Sequence, residues 1–118
     1  MPWTVELDEE YEPEFDELPE RVQDALLAVA GLLEREGPFL GRPHVDTLNG
    51  SRHANMKELR FQADGGVWRI AFAFDPDRKA ILLVGGDKSG TNEKRFYKQL
   101  IARADDRFER HLAQREER

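Results

Sequence analysis

Two stretches in the middle of the chain alternate between hydrophobic and polar positions. Across residues 56–62, Leu59 and Phe61 share one parity; across 67–74, Trp68, Ile70, Phe72 and Phe74 share one as well. A period of two predicts two strands with these residues on the buried face. Arg60 and Arg69 fall on the opposite parity, so pairing as a hairpin sets both guanidiniums on the other sheet face. Asp64-Gly65-Gly66 between the stretches predicts that hairpin turn. Asp75-Pro76-Asp77 turns the chain again, with proline in its favoured turn position. Residues 80–84 are apolar without alternation, which predicts a third strand covered on both faces, with Gly85-Gly86 as its terminator. Near the start, Trp3, Val5 and Leu7 alternate with polar residues and predict a short first strand.

Two other segments carry a helical period. Val22, Leu26, Val29 and Leu33 form an apolar stripe on a helix that opens at Pro19 and closes at Gly37-Pro38. Residues 14–18 fit a single helical turn before it. Tyr97, Ile101, Ala104, Phe108 and Leu112 define a second long helix from Glu93 to about Gln114, preceded by cap candidates at Ser89 to Asn92 and followed by a fraying tail. Residues 39–54 read as a loop rich in turn formers, and they also hold His44, Asp46, Arg52 and His53. Structureless connectors of about 15 residues in compact domains are often functional. The order is strand, helices, three-strand meander, helix, which is an α+β arrangement.

The 118 residues suit a single domain, 1–118. Cysteine is absent, so thiolate metal sites and disulfides are excluded, and a reducing, cytoplasmic setting fits. No His/Asp/Glu cluster has metal-ligand spacing, and no glycine-rich loop follows a strand in the nucleotide-binding manner, so no metal or cofactor is expected. No run approaches the roughly 20 apolar residues of a membrane span, and the start lacks the basic and apolar regions of a signal peptide. The net charge of -6 argues against a nucleic-acid partner only as an average. Residues 1–20 hold nine acids and no base, whereas residues 42–115 hold 15 Lys or Arg against 10 Asp or Glu. An acidic head therefore precedes a mildly basic body, either as a plain solvated face or as a screen for that body.

The runs MKELRF, GVWRIAFAFDPDRKAILLVGGDKSG and KRFYKQLIARADDRFERHL, in that order, resemble the RelE/ParE superfamily of type II toxin–antitoxin toxins, and within it the HigB-type, phage-related branch. The resemblance implies a small twisted antiparallel sheet with helices packed on it. It further implies an mRNA endonuclease acting on ribosome-bound message, held in check by a cognate antitoxin, commonly of the helix-turn-helix type. Some relatives instead poison DNA gyrase by binding it, and an inactive phage-related interaction module is a third option. Strand cleavage through the ribose 2′-hydroxyl needs a base, an acid and cations for the phosphoryl charge.

On that basis Arg60 and Arg69 are assigned to phosphate binding and transition-state charge, with Lys88 as a further clamp or proton carrier. Tyr97 is assigned to base stacking or to supplying a hydroxyl, and Lys57, Lys94, Arg95 and Lys98 to RNA backbone contacts. Each has a plainer alternative. Arg60 and Arg69 could pair with Glu58, Lys88 with Asp87 or Glu93, and Tyr97 could belong to the core. His111 is accounted for by its place near a helix C-terminus, His44 and His53 have no assigned role, and no histidine lies in the strand motif. The nuclease assignment requires the two guanidiniums to share a face and not to be buried in internal ion pairs.

Overall fold

The two alternating stretches pair as a hairpin in the computed structural model, which describes residues 2–117. Strands β3 (Lys57–Ala63) and β4 (Gly66–Phe74) are joined by a two-residue turn at Asp64 and Gly65, both with positive φ (51° and 79°). Positive φ at both central residues gives a turn whose twist matches that of the flanking strands. Strand β5 (Lys79–Asp87) follows antiparallel to β4. Residues Ala80 to Val84 are buried, with Ala80 and Leu82 in one core cluster and Ile81 and Leu83 in the other, as expected for a strand covered on both sides.

The sheet is larger and less uniform than the sequence suggests. Its order is β1-β5-β4-β3-β2, where β1 is Thr4–Leu7 and β2 is Val45–Thr47. β1 lies parallel to β5, so the sheet is mixed and not wholly antiparallel. β2 pairs antiparallel with β3 inside the segment expected to be loop. That segment is anchored to the last helix, α3 (Glu93–Glu116): Ser51 Oγ and the Arg52 amide donate to Asp105, and Arg52 also reaches Asp106 and Glu109. The strand does not stop at Gly85-Gly86 either. A Cβ on Gly85 would lie 2.3 Å from Ile70 Cδ1, and one on Gly86 would lie 3.0 Å from Phe96 Cε2. The glycines let neighbours approach a continuing strand.

Helix α1 (Tyr11–Asp16) starts earlier than expected, because the Asp8 carbonyl accepts from the Tyr11 and Glu12 amides. Pro13 then sits in the first turn, where a missing amide costs nothing. Helix α2 (Glu20–Glu36) lays Leu26, Val29 and Leu33 on Leu59, Ile70 and Phe72. Helix α3 covers the other face with Leu100, Ala104 and Phe108 against Ala71, Ala73 and Leu83. Its C-terminal turn does not fray at Arg115, whose Nε donates to Asp77 at 2.8 Å; Arg118 lies outside the described residues. Arg107, buried, donates to the Leu83 carbonyl (2.8 Å) and grips Glu14 of α1 with both terminal nitrogens. His111 hydrogen-bonds Asp75 at 2.8 Å and stacks on Phe108; this contact, beyond the helix terminus, accounts for its position.

Candidate functional site

The face beneath the N-terminal half of α3 is built as two cross-strand rows. Arg60 stands opposite Arg69, and Arg69 opposite Gly86. The Arg60 amide donates to the His44 carbonyl at 2.8 Å, which extends the β2–β3 register by one residue and adds His44 to the row. The next row is Asp46, Glu58, Ala71 and Val84. Gly86 is the narrow point at which Phe96 of α3 comes down on the sheet. A groove of about 580 Å³ opens at the edge of β3 past β2, lined by Arg42, His44, Arg60, Gln62, Val67 and Arg69 and, from the α2 side, by Val29 and Phe61.

The two arginines share a face as required, but they are not equally open. Arg69 is 6 % exposed and sits in an ion pair with Glu58, so for this guanidinium the plainer alternative holds and the requirement is not met, whereas Arg60 is not buried. The Arg69 Nη1 donates to the Trp68 carbonyl (2.9 Å), its Nε to the Tyr97 hydroxyl (3.2 Å), and Nε stands 3.7 Å from Glu58 Oε1. Arg60 is half-buried, with Nη1 3.7 Å from Asp46 Oδ2 and Nε 4.0 Å from Glu58 Oε2. These separations exceed hydrogen-bond length. Glu58 Oε1 and Arg60 Nε are both buried with no hydrogen-bond partner among the described residues. Contrast Arg107, whose Nη1 donates to Glu14 at 2.9 Å in a closed two-point pair. The positive charge of the row is therefore drawn toward Glu58 without being saturated by it.

Burial pushes the Glu58 carboxyl up, against the lowering pull of the Tyr97 hydroxyl, Arg69 and Arg60; Asp46 pushes it further up. Tyr97 is raised as well, first by burial and then by Glu58, while Arg69 works the other way. Tyr97 thus belongs both to the edge of the core and to the site: its ring packs with Phe96, and its hydroxyl meets Arg69. Lys88 lies with its ammonium 5.8 Å from the centre of the Tyr97 ring and 2.9 Å from Glu93 Oε1. That contact holds the Glu93 carboxyl below its ordinary range. Lys94, Arg95 and Lys98 are exposed on the first turns of α3, along a second shallow groove. Lys57 is the misplaced member: it pairs with Phe72 and shares the parity of Leu59, so it lies on the α2 side, away from Arg60.

Two further residues join the site: Glu58, anticipated only as an ion-pair partner of the two arginines, and His44, which had no assigned role. Glu58 shares the parity of Arg60, a signal visible in the alternation, yet its burial under Tyr97 depends on α3. His44 gives no such signal, because its position rests on the pairing of a three-residue strand.

A mixed five-stranded sheet with this helix placement is the fold of a RelE-type toxin. The free-state structure of a double-arginine mutant of Escherichia coli toxin RelE matches it with a TM-score of 0.65 at 14 % identity, covering 91 % of this chain and 98 % of that one. Residues 13–109 match the family described as phage derived protein Gp49-like (DUF891), and the chain belongs to that family. It is 56 % identical over 94 residues to a Mycobacterium tuberculosis H37Rv protein carrying the toxin name HigB3, covering 77 % of this chain and 80 % of that protein. It is 44 % identical over 116 residues to a second, HigB2, covering 98 % of this chain and 57 % of the longer relative. The chain is a RelE/HigB-like toxin of a type II toxin–antitoxin system, and a cognate antitoxin is its partner.

Proposed function

We propose that this toxin, a single domain acting in the cytoplasm, is a ribosome-dependent endonuclease of mRNA. The observation that carries it is the Arg60–Arg69 cross-strand pair opening onto a groove. Like charges directly opposite each other destabilise a sheet. Retaining two beside Glu58 and Asp46, neither of which hydrogen-bonds them, makes sense if an anion completes the cluster. A phosphodiester does so: Arg60 and the groove-side edge of Arg69 hold its oxygens and stabilise the charge that builds up in the transition state. Glu58, below them, positions both guanidiniums. The Lys88 ammonium gives a proton to the leaving 5′-oxygen once message displaces Glu93. Tyr97 orients Arg69 and offers a ring for stacking, while Lys94, Arg95 and Lys98 follow the RNA backbone without reading sequence. Lys57 is on the wrong face to join them. The antitoxin, taken to be of the helix-turn-helix kind, neutralises this face with an acidic segment.

Purified toxin added to ribosomes programmed with mRNA tests the assignment. Cleavage by wild type, reduced on the order of 1,000-fold by Arg69→Ala, is the expected result. Intact message at high toxin concentration refutes it, and stalled gyrase–DNA complexes in the same extract would select a non-enzymatic toxin.

A further inference from the structure

We propose that His44 is the base that accepts the proton of the attacking ribose 2′-hydroxyl. The proposal rests on the nuclease assignment and supplies the one group it lacked.

His44 extends the row that contains Arg60 and Arg69, with its carbonyl bonded to the Arg60 amide at 2.8 Å. Adjacent strands lie about 4.8 Å apart, so His44 stands one strand from Arg60 and about 10 Å from Arg69. It lines the same groove as both. A phosphodiester held by the two guanidiniums brings its 3′-side ribose to the β2 end of the row, beside this imidazole.

The other titratable groups are accounted for. Glu58 is 5 % exposed and covered by Tyr97 and the two arginines. Asp46 accepts from Arg42 at 2.7 Å and from the Thr47 amide at 2.9 Å. His53 faces Glu109 at 3.3 Å and His111 is bonded to Asp75 at 2.8 Å, both along the rear half of α3. The His44 ring has no such carboxylate partner among the described residues, and it is half-exposed on the groove. A neutral imidazole is the one common side chain that exchanges a proton near neutral pH. The charged groups facing it are Arg42 and Asp46 from its own segment, Arg60 and Glu58 from β3, and Arg69 from β4.

In the step itself, one imidazole nitrogen takes the 2′-proton while the 2′-oxygen forms a bond to phosphorus. The bond from phosphorus to the 5′-oxygen breaks with its electron pair on that oxygen, which takes a proton from the Lys88 ammonium. The products are a 2′,3′-cyclic phosphate and a 5′-hydroxyl, and solvent returns the proton from His44 to Lys88.

The test is single-turnover cleavage of ribosome-bound message between pH 5 and 9 by wild type, His44→Ala and His44→Gln, with free imidazole added in a parallel series. Binding is followed with a 2′-deoxy substitution at the cleavage site, and folding by circular dichroism. Both variants are expected to bind as wild type does and to cleave on the order of 100-fold more slowly. They lose the rise in rate on the acid side of the profile, and imidazole restores part of the rate to the alanine variant. Variants that keep the wild-type rate, or that are slow yet keep the acid limb and ignore imidazole, overturn the role of His44 and leave the nuclease standing. Wild type that cuts nothing overturns both.

Discussion

Replacing Arg69 by Met should separate what the buried pair does for stability from what it does for chemistry. The guanidinium Nε lies 3.7 Å from Glu58 Oε1, and both side chains are almost fully buried. At an effective dielectric of about 20, two unit charges at that distance attract by about 4 kcal/mol. Desolvation of both ions offsets much of this, so the pair contributes little net stability, but removing one partner strands the other. Arg69→Met also gives up the bonds to the Trp68 carbonyl and Tyr97 hydroxyl, at about 1 kcal/mol each. The expected loss is about 3 kcal/mol. Glu58→Gln relieves the burial of a carboxylate but strands the Arg69 charge, so it should cost less than Arg69→Met, about 1 kcal/mol. Its carboxyl is raised in the folded state, mainly by burial, so the stability it contributes is present below its unfolded pKa and is lost as pH rises through the folded value. The double variant should recover about 2 kcal/mol of the Arg69→Met loss. Urea unfolding of the four proteins, followed by tryptophan fluorescence, gives the coupling energy. A value below about 0.5 kcal/mol would mean that the two charges do not sense each other and that the description of the site is wrong. Arg69→Met and the double variant should both fail to cleave message, although the double variant has recovered most of the lost stability.

Three further outcomes follow from named contacts. Glu93→Gln frees the Lys88 ammonium, which now donates to Glu93 at 2.9 Å, and should lower KM for message several-fold with little change in kcat; an unchanged KM would show that the contact does not compete with RNA. Lys98→Ala should weaken RNA binding uniformly across sequences and reduce the slope of log affinity against log salt by about 0.7, whereas Lys57→Ala, on the opposite face, should leave both affinity and slope unchanged in the same titration. The Asp75 carboxyl is pushed up by burial, but the bonds from His111 and from the Lys79 and Asp77 amides outweigh this and hold it below its usual range. Its stabilising contribution is therefore present above its unfolded pKa of about 3.9 and is lost as pH falls through the lower folded value, so Asp75→Asn should flatten the acid limb of a stability curve measured by thermal melting.

Much of this molecule follows from local pattern. The period of two places β3 and β4, the period near 3.6 places α2 and α3, and the unbroken apolar run marks β5 as doubly covered. Even the facing of Arg60 and Arg69 is local information. A two-residue turn at Asp64-Gly65 closes the pair Ala63–Gly66, and three steps back along each strand lead to the arginines. What tertiary structure alone decided is what surrounds them. β1 joins the sheet parallel to a strand more than 70 residues away, and β2 is too short to announce itself. The loop that holds it is ordered by Asp105 and Glu109, more than 50 residues along the chain. Glu58 meets Tyr97, and His44 enters the arginine row, only after those distant pieces have packed. Such contacts are selected by burial and register between segments remote in sequence, and a side chain's neighbours along the chain carry no trace of them.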